Sequence, residues 1–165
     1  MNNIETRQEI KEKHFKLSPT IRRLTPDDTY WQSLIEYAEN CSWEHVGSHL
    51  ADMMRRNTFA DWEAVFACLL DGEIVGFCTF LKEDFYPENR YTPWISTVFV
   101  DEKHRGQRLS FRMIETVICY AREQGFKKVY IPSDMIVFYE KCGFAAIDTL
   151  INYAGDTDTI FMKEI

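Results

Sequence analysis

The chain has 165 residues, 45% of them hydrophobic and 27% charged, and a formal net charge of −7, the profile of one soluble globular domain with enough chain for a core. The acidic balance argues against generic nucleic-acid binding, which depends on neutralising phosphates, and suits an amine or other cationic partner. The longest uncharged apolar run, Ala64 to Leu70, is far short of the ~20 residues of a membrane span, so no membrane partner is expected. Residues 1–17 mix Glu, Lys and Arg without the apolar core of a signal segment. They predict a charged arm or helix in a cytoplasmic protein, ahead of a single domain over residues 18–165.

Pro19 to Leu24, with Ile21 and Leu24 apolar, predicts a short strand. Thr25-Pro26-Asp27-Asp28 has the pattern of a helix start, with Thr as N-cap, Pro at the first position and acid in the first turn. Trp31, Leu34, Ile35 and Ala38 follow at helical spacing and end near Cys41. A second helix is predicted over Trp43 to Arg55, with Val46, Leu50 and Met53 on one face. From Glu63 the pattern turns to strands. Ala64–Leu70 and Ile74–Leu81 flank Asp71-Gly72, a hairpin turn pair, and Thr92–Val100 makes the next strand. Leu109 to Gln124 is a long helix whose stripe is Ile114, Val117, Ile118 and Ala121, stopped by Gly125. Lys128–Ile131 reads as a strand, Met135–Lys141 as a helix, and Ala145–Tyr153 and Thr159–Lys163 as two last strands.

Cys41, Cys68, Cys78, Cys119 and Cys142 are scattered and odd in number, with no Cys-x-x-Cys or Cys/His ligand spacing. They read as buried reduced thiols, and no metal is expected. Asp156 and Asp158 have the look of a calcium-loop fragment without the ligands that should follow, and read as a solvated turn.

Val98-Phe99-Val100, then Asp101 to His104, then Arg105-Gly106-Gln107-Arg108-Leu109-Ser110 opening the long helix, says most about chemistry. A helix start leaves about four N–H groups unpaired and carries roughly half a positive charge, which makes it a phosphate site. This unit resembles the acetyl-CoA site of the GNAT N-acetyltransferases. Phe138-Tyr139-Glu140-Lys141-Cys142-Gly143-Phe144 resembles that family's second hallmark, an aromatic-Tyr-Glu-Lys-x-Gly-Phe segment ending a short helix. The order and spacing of the two motifs agree with the family from Glu63 to Phe144. Arg108 and Ser110 depart from it, since small residues are usual there, and Pro132-Ser133-Asp134 stands where the family has an Asn.

The resemblance implies an α/β fold: a mixed central sheet with helices on both faces, whose fourth and fifth strands splay apart to admit the cofactor. Here those strands would end near Val100 and Ile131. It implies acetyl-CoA as cosubstrate and acetyl transfer to a small-molecule or peptide amine, with homodimerisation left open. Main-chain groups of Val98, Phe99 and Val100 would hold the pantetheine arm and thioester. Arg105, Gly106, Gln107, Arg108, Leu109 and Ser110 would wrap the pyrophosphate, and Ser133 and Tyr139 would complete the cofactor site.

Direct transfer needs a neutral amine, a held thioester and a proton for the leaving thiolate. Tyr139 is the candidate acid, since a phenol with a pKa near ~10 stays protonated at neutral pH and can donate to a thiolate. The base is not visible: Trp94-Ile95-Ser96-Thr97 offers no carboxylate. Glu83, Asp84 and Glu88 could approach from the preceding loop and His45 or His49 from the helical pair, but each reads as a surface group before a base, and a water relay is equally open. Trp31, Trp43, Phe85, Tyr86, Tyr91 and Trp94 read mostly as core, and those within Phe85 to Tyr91 also border the expected acceptor cleft. A non-catalytic acyl-CoA-binding or regulatory domain is the alternative, favoured by Arg108, Ser110 and the missing Asn. A different nucleotide enzyme is disfavoured, because neither a Lys-Ser/Thr phosphate loop nor a Gly-x-Gly-x-x-Gly run is present.

Overall fold

The computed structural model describes residues 18–165, so the arm predicted over residues 1–17 lies outside the described residues. The elements run β1 (Thr20–Leu24), α1 (Trp31–Glu39), α2 (Glu44–Arg56), β2 (Ala64–Leu70), β3 (Glu73–Leu81), β4 (Trp94–Val100), a 3-10 turn (Glu102–His104), α3 (Leu109–Glu123), β5 (Lys128–Ser133), α4 (Ile136–Lys141), β6 (Ala145–Ile151) and β7 (Thr157–Glu164). This is the predicted order. The strands form one seven-stranded sheet in the order β1-β2-β3-β4-β5-β7-β6. Every neighbouring pair is antiparallel except β4 and β5, which are parallel.

Strand alternation sends successive side chains to opposite faces. On one face α3 and α4 pack Met113, Val117 and Tyr139 against Phe66, Phe80, Ile95 and Phe161. On the other, α1 and α2 bring Leu34 and Leu50 onto Val65, Phe77 and Phe99. A third cluster, Tyr86, Trp94, Tyr130, Leu150 and Ile160, shares this second face, because Ile95, Val129, Ile131 and Phe161 beside its members point to the first. No helix among the described residues is long and apolar enough to cross a membrane.

Two local expectations are corrected. Thr25 is not an N-cap: Asp28 N–H donates to the Thr25 carbonyl at 2.8 Å, a β-turn with Pro26 at its favoured second position. Asp28 Oδ1 then accepts from Tyr30 N–H at 2.9 Å, so α1 begins only at Trp31. In α2 the buried stripe is Gly47, Leu50, Ala51 and Met54, while Val46 and Met53 are half-buried. A Cβ on Gly47 would come within 2.0 Å of the Ala38 carbonyl oxygen, so the helix turns its smallest residue toward α1.

Candidate active site

Beyond Phe77 paired with Phe99, the next rung joins Thr79 to Ser96. Three steps on β4 match two on β3, which places a bulge at Thr97 and Val98. Thr97 has φ 48°, a left-handed conformation that is costly for a β-branched residue. Its Oγ1 is hydrogen-bonded to Thr79 Oγ1 at 2.8 Å. A bulge re-aims the backbone groups it carries, here toward the gap between β4 and β5. Those strands meet in a single pair, Trp94 with Tyr130, and diverge beyond it. A cleft of about 700 Å³ opens there, lined by Val98, Phe99, Val100, Arg105, Gly106, Arg108, Leu109, Ser110 and Tyr139, with Ser42, Trp43, Met135 and Phe138 around them. The structure thus brings together most of the predicted cofactor residues. Gln107 is exposed and does not line the cleft.

The floor of one end of the cleft is the first turn of α3, whose leading N–H groups have no intrahelical acceptor. Gly106 has φ 77° and Arg108 φ 59°. The second value explains why a small residue suits this position: the chain is left-handed there, and Arg occupies it against the Cβ penalty. Arg105 is committed to its own loop. Its Nε donates to the Val100 carbonyl at 3.1 Å and an Nη to Glu102 Oε1 at 2.9 Å. Ser42 donates to the same carboxylate and, with Arg105 beside it, holds Glu102 below the usual carboxylate range. The α1–α2 loop is thereby tied to the loop ahead of α3, a link between distant segments that no local motif announces.

Tyr139 stands across the cleft on α4, 6% exposed. Its ring lies 5.5 Å from that of Phe161 and meets Phe138 and Phe144 edge-on. Burial, reinforced by nearby Cys142, pushes its pKa up to about 12, while a side-chain hydrogen bond with Ser133 pulls the other way. Ser133 does not line the cleft; its Oγ accepts from Met135 N–H at 3.0 Å and so shapes the entry to α4. Lys163 fixes the other end, donating from Nζ to the Cys142 carbonyl at 2.8 Å and reaching Glu115 at 3.7 Å. Sequence reasoning missed Lys163, which carries no motif of its own.

Among the groups of the β3–β4 loop, Glu83 and Glu88 are exposed as expected. Asp84 is not a surface carboxylate. Its Oδ2 is buried without a hydrogen-bond partner among the described residues, its Oδ1 accepts from Phe85 N–H at 2.7 Å, and burial raises its pKa above the usual carboxylate range. His45 and His49 are exposed. Trp31, Tyr86 and Trp94 are core; Trp43 and Phe85, expected there too, are exposed, and Trp43 lines the cleft. Four of the five thiols are buried and Cys119 is exposed.

Comparison with known proteins agrees with this geometry. The model of the acetyltransferase (GNAT) family matches residues 26–144. Among curated proteins no sequence matches the chain. Among solved structures, aminoglycoside 6'-acetyltransferase type Ii superposes with a TM-score of 0.69 at 17% identity, covering 88% of this chain and 96% of that one. The Elizabethkingia anophelis GNAT family acetyltransferase, solved with acetyl-CoA bound, gives 0.62 at 17% identity over 89% of this chain and 98% of its own. The Escherichia coli GNAT family N-acetyltransferase YhbS, in complex with CoA, gives 0.66 at 21% identity over 90% and 82%. At these identities the likeness concerns the fold; the family match spans more than half of the chain, which therefore belongs to the GNAT acetyltransferases.

Proposed function

We propose that the protein transfers the acetyl group of acetyl-CoA to the amine of a small-molecule or peptide acceptor by direct attack, with no covalent enzyme intermediate. The observation that carries this reading is the cleft between β4 and β5, with a bulge on one wall, a helix start at one end and Tyr139 opposite. These residues fit the cofactor. The bulge frees main-chain groups for a pantetheine arm, and the α3 start with Arg108 supplies N–H donors and a cation for a pyrophosphate. Bound there, acetyl-CoA supplies an activated acyl carbon and a thiolate leaving group. Main-chain N–H groups at Val98 and Val100 would orient the acyl oxygen and arm, and Tyr139 would hold a proton for the sulfur. The aminoglycoside enzyme among the structural relatives makes amino sugars a natural first acceptor to try.

Acetyl-CoA is expected to stabilise the fold by about 2.7 kcal/mol at a hundredfold excess over its dissociation constant, while ATP and NAD leave it unchanged. A melting scan with the three ligands checks this, and absence of a preference for CoA overturns the reading. Turnover with acetyl-CoA and a panel of amines separates it from the non-catalytic alternative.

Arg108 tests the phosphate end. Arg108→Gly keeps the left-handed turn and removes the side chain with its guanidinium. CoA affinity should fall about tenfold or more, since charge-assisted bonds of this kind contribute roughly 1.5–3 kcal/mol. The melting temperature of the unliganded protein should hold or rise, because Gly relieves the Cβ penalty. CoA titrations of both proteins at low and high salt are the check, with the larger loss at low salt. Unchanged affinity would mean that the turn works through its backbone alone.

A further inference from the structure

On the sheet face under α1 and α2, two apolar clusters stay separate, and the seam between them is polar. Thr79 and Ser96, buried to 0% and 4% exposure, are partners across β3 and β4. Both face this side, because Cys78, Phe80 and Ile95 beside them face the other. Asp84 folds back from the end of β3 into this seam, beside the Ser96 side chain. The other groups facing it are Tyr86, Asp158 of β7 and His49 of α2. Asp158 has its own partners, the Tyr86 hydroxyl at 2.7 Å and Asn152 Nδ2 at 3.0 Å. Asp84 Oδ2 is buried and has none among the described residues.

Position along β4 gives that orphan oxygen its meaning. Ser96 follows the lone β4–β5 pair at Trp94 by two residues and immediately precedes the bulge. It stands at the closed end of the splay, four residues or about 13 Å from Val100 at the phosphate end. An arm extended from the α3 start toward that closed end would bring its acyl carbon to the bulge, the residues next along β4 from Ser96. Buried polar groups are normally satisfied, and an exception points to a role.

We propose that Asp84 is the general base of the reaction, taking the proton of an acceptor that arrives as an ammonium ion; this rests on the acetyl-transfer reading above. Asp84 Oδ2 removes one proton from the ammonium nitrogen. The freed lone pair forms the C–N bond while the C–S bond breaks, and the sulfur keeps the bonding pair and takes the Tyr139 proton. The second proton shed by the nitrogen restores the phenol through solvent, so one proton leaves per turnover by way of Asp84. A carboxyl held above its ordinary range is a stronger base than a surface Asp, and the desolvation that raises it also disfavours its charged form.

The test is Asp84→Asn in the full chain, with saturating acetyl-CoA and spermidine, kanamycin or a lysine-bearing peptide as acceptor. kcat should fall about 10²–10⁴-fold with the KM for acetyl-CoA unchanged. Methoxyamine, already neutral at pH 7, needs no base and should lose less than about threefold. Stability gives an independent readout. A folded pKa above the unfolded one favours the native state at low pH and loses that contribution as pH rises through the folded value. Asp84→Asn should therefore melt at or above the parent at pH 7, with the gap widening as pH increases from the carboxylate range. Ser96→Ala, which removes the hydroxyl that favours the carboxylate, should move the acid limb of the kcat/KM profile to higher pH. A parent active on spermidine whose Asp84→Asn variant is within about threefold overturns this inference alone, as does an unmoved acid limb in Ser96→Ala. A parent that binds acetyl-CoA but acetylates none of these amines overturns it together with the proposed function.

Discussion

Tyr139→Phe is expected to lower turnover by about 10²–10⁴-fold, the usual contribution of a positioned general acid, while acetyl-CoA binds almost as well as to the parent. The substitution keeps the ring and its contacts with Phe138, Phe144 and Phe161, so α4 and the cleft wall should not move. What is lost is one proton at the sulfur. With its pKa pushed up to about 12 by burial, the phenol is protonated throughout the neutral range and contributes no basic limb to the rate profile there. It also lies above the ~8.5 of a free thiol, so transfer to a solvated thiolate would be uphill. Inside the cleft the same desolvation raises the leaving thiol too, and proton delivery as the C–S bond breaks becomes the favourable course. Single-turnover rates and an acetyl-CoA titration on both proteins separate the chemical step from binding. Turnover within about threefold of the parent would leave Tyr139 a structural residue and hand the proton to water.

The parts of this site that were legible in the sequence are those whose chemistry forces a local pattern. A left-handed turn ahead of a helix calls for Gly106, a hairpin with φ 54° and 79° at its centre calls for Asp71-Gly72, and the stripe of α3 repeats at 3.6 residues. Tyr139 stands out in the sequence because its neighbours form a contiguous motif. What stayed hidden depends on segments that meet only after folding. Asp84 looks like Glu83 and Glu88 in the sequence, and only its meeting with Ser96 and Asp158 buries it. The bulge at Thr97 is invisible because nothing in Trp94 to Val100 breaks the strand pattern; Thr79 across the sheet holds it. Trp43 reads as core by composition, yet the α1–α2 loop carries it to the cleft. Gly47 hid the true stripe of α2, since hydrophobic periodicity does not register a residue whose role is to be small.

Gly47→Ala is expected to cost about 3 kcal/mol, the upper end of ordinary overpacking, and to reach the active site from a position that does not line it. The new Cβ would stand 2.0 Å from the Ala38 carbonyl oxygen and 2.6 Å from Cys41 Sγ. The first obstacle is backbone at the end of α1, which cannot rotate away, so α1 and α2 must part. The loop between them carries Ser42 and Trp43 into the cleft, where Ser42 binds the Glu102 carboxylate that also holds Arg105. Parting the helices therefore loosens the brace on the phosphate loop as well as the core. At roughly 2–4 °C per kcal/mol for a chain of this size, the melting temperature should drop by about 6–12 °C, and CoA affinity should fall beside it. Cys41→Ala in the same background removes the smaller clash and should restore only part of the loss, because the carbonyl remains. A Gly47→Ala protein that melts with the parent would show that the two helices can separate freely, and that their close contact does not position the loop over the cofactor cleft.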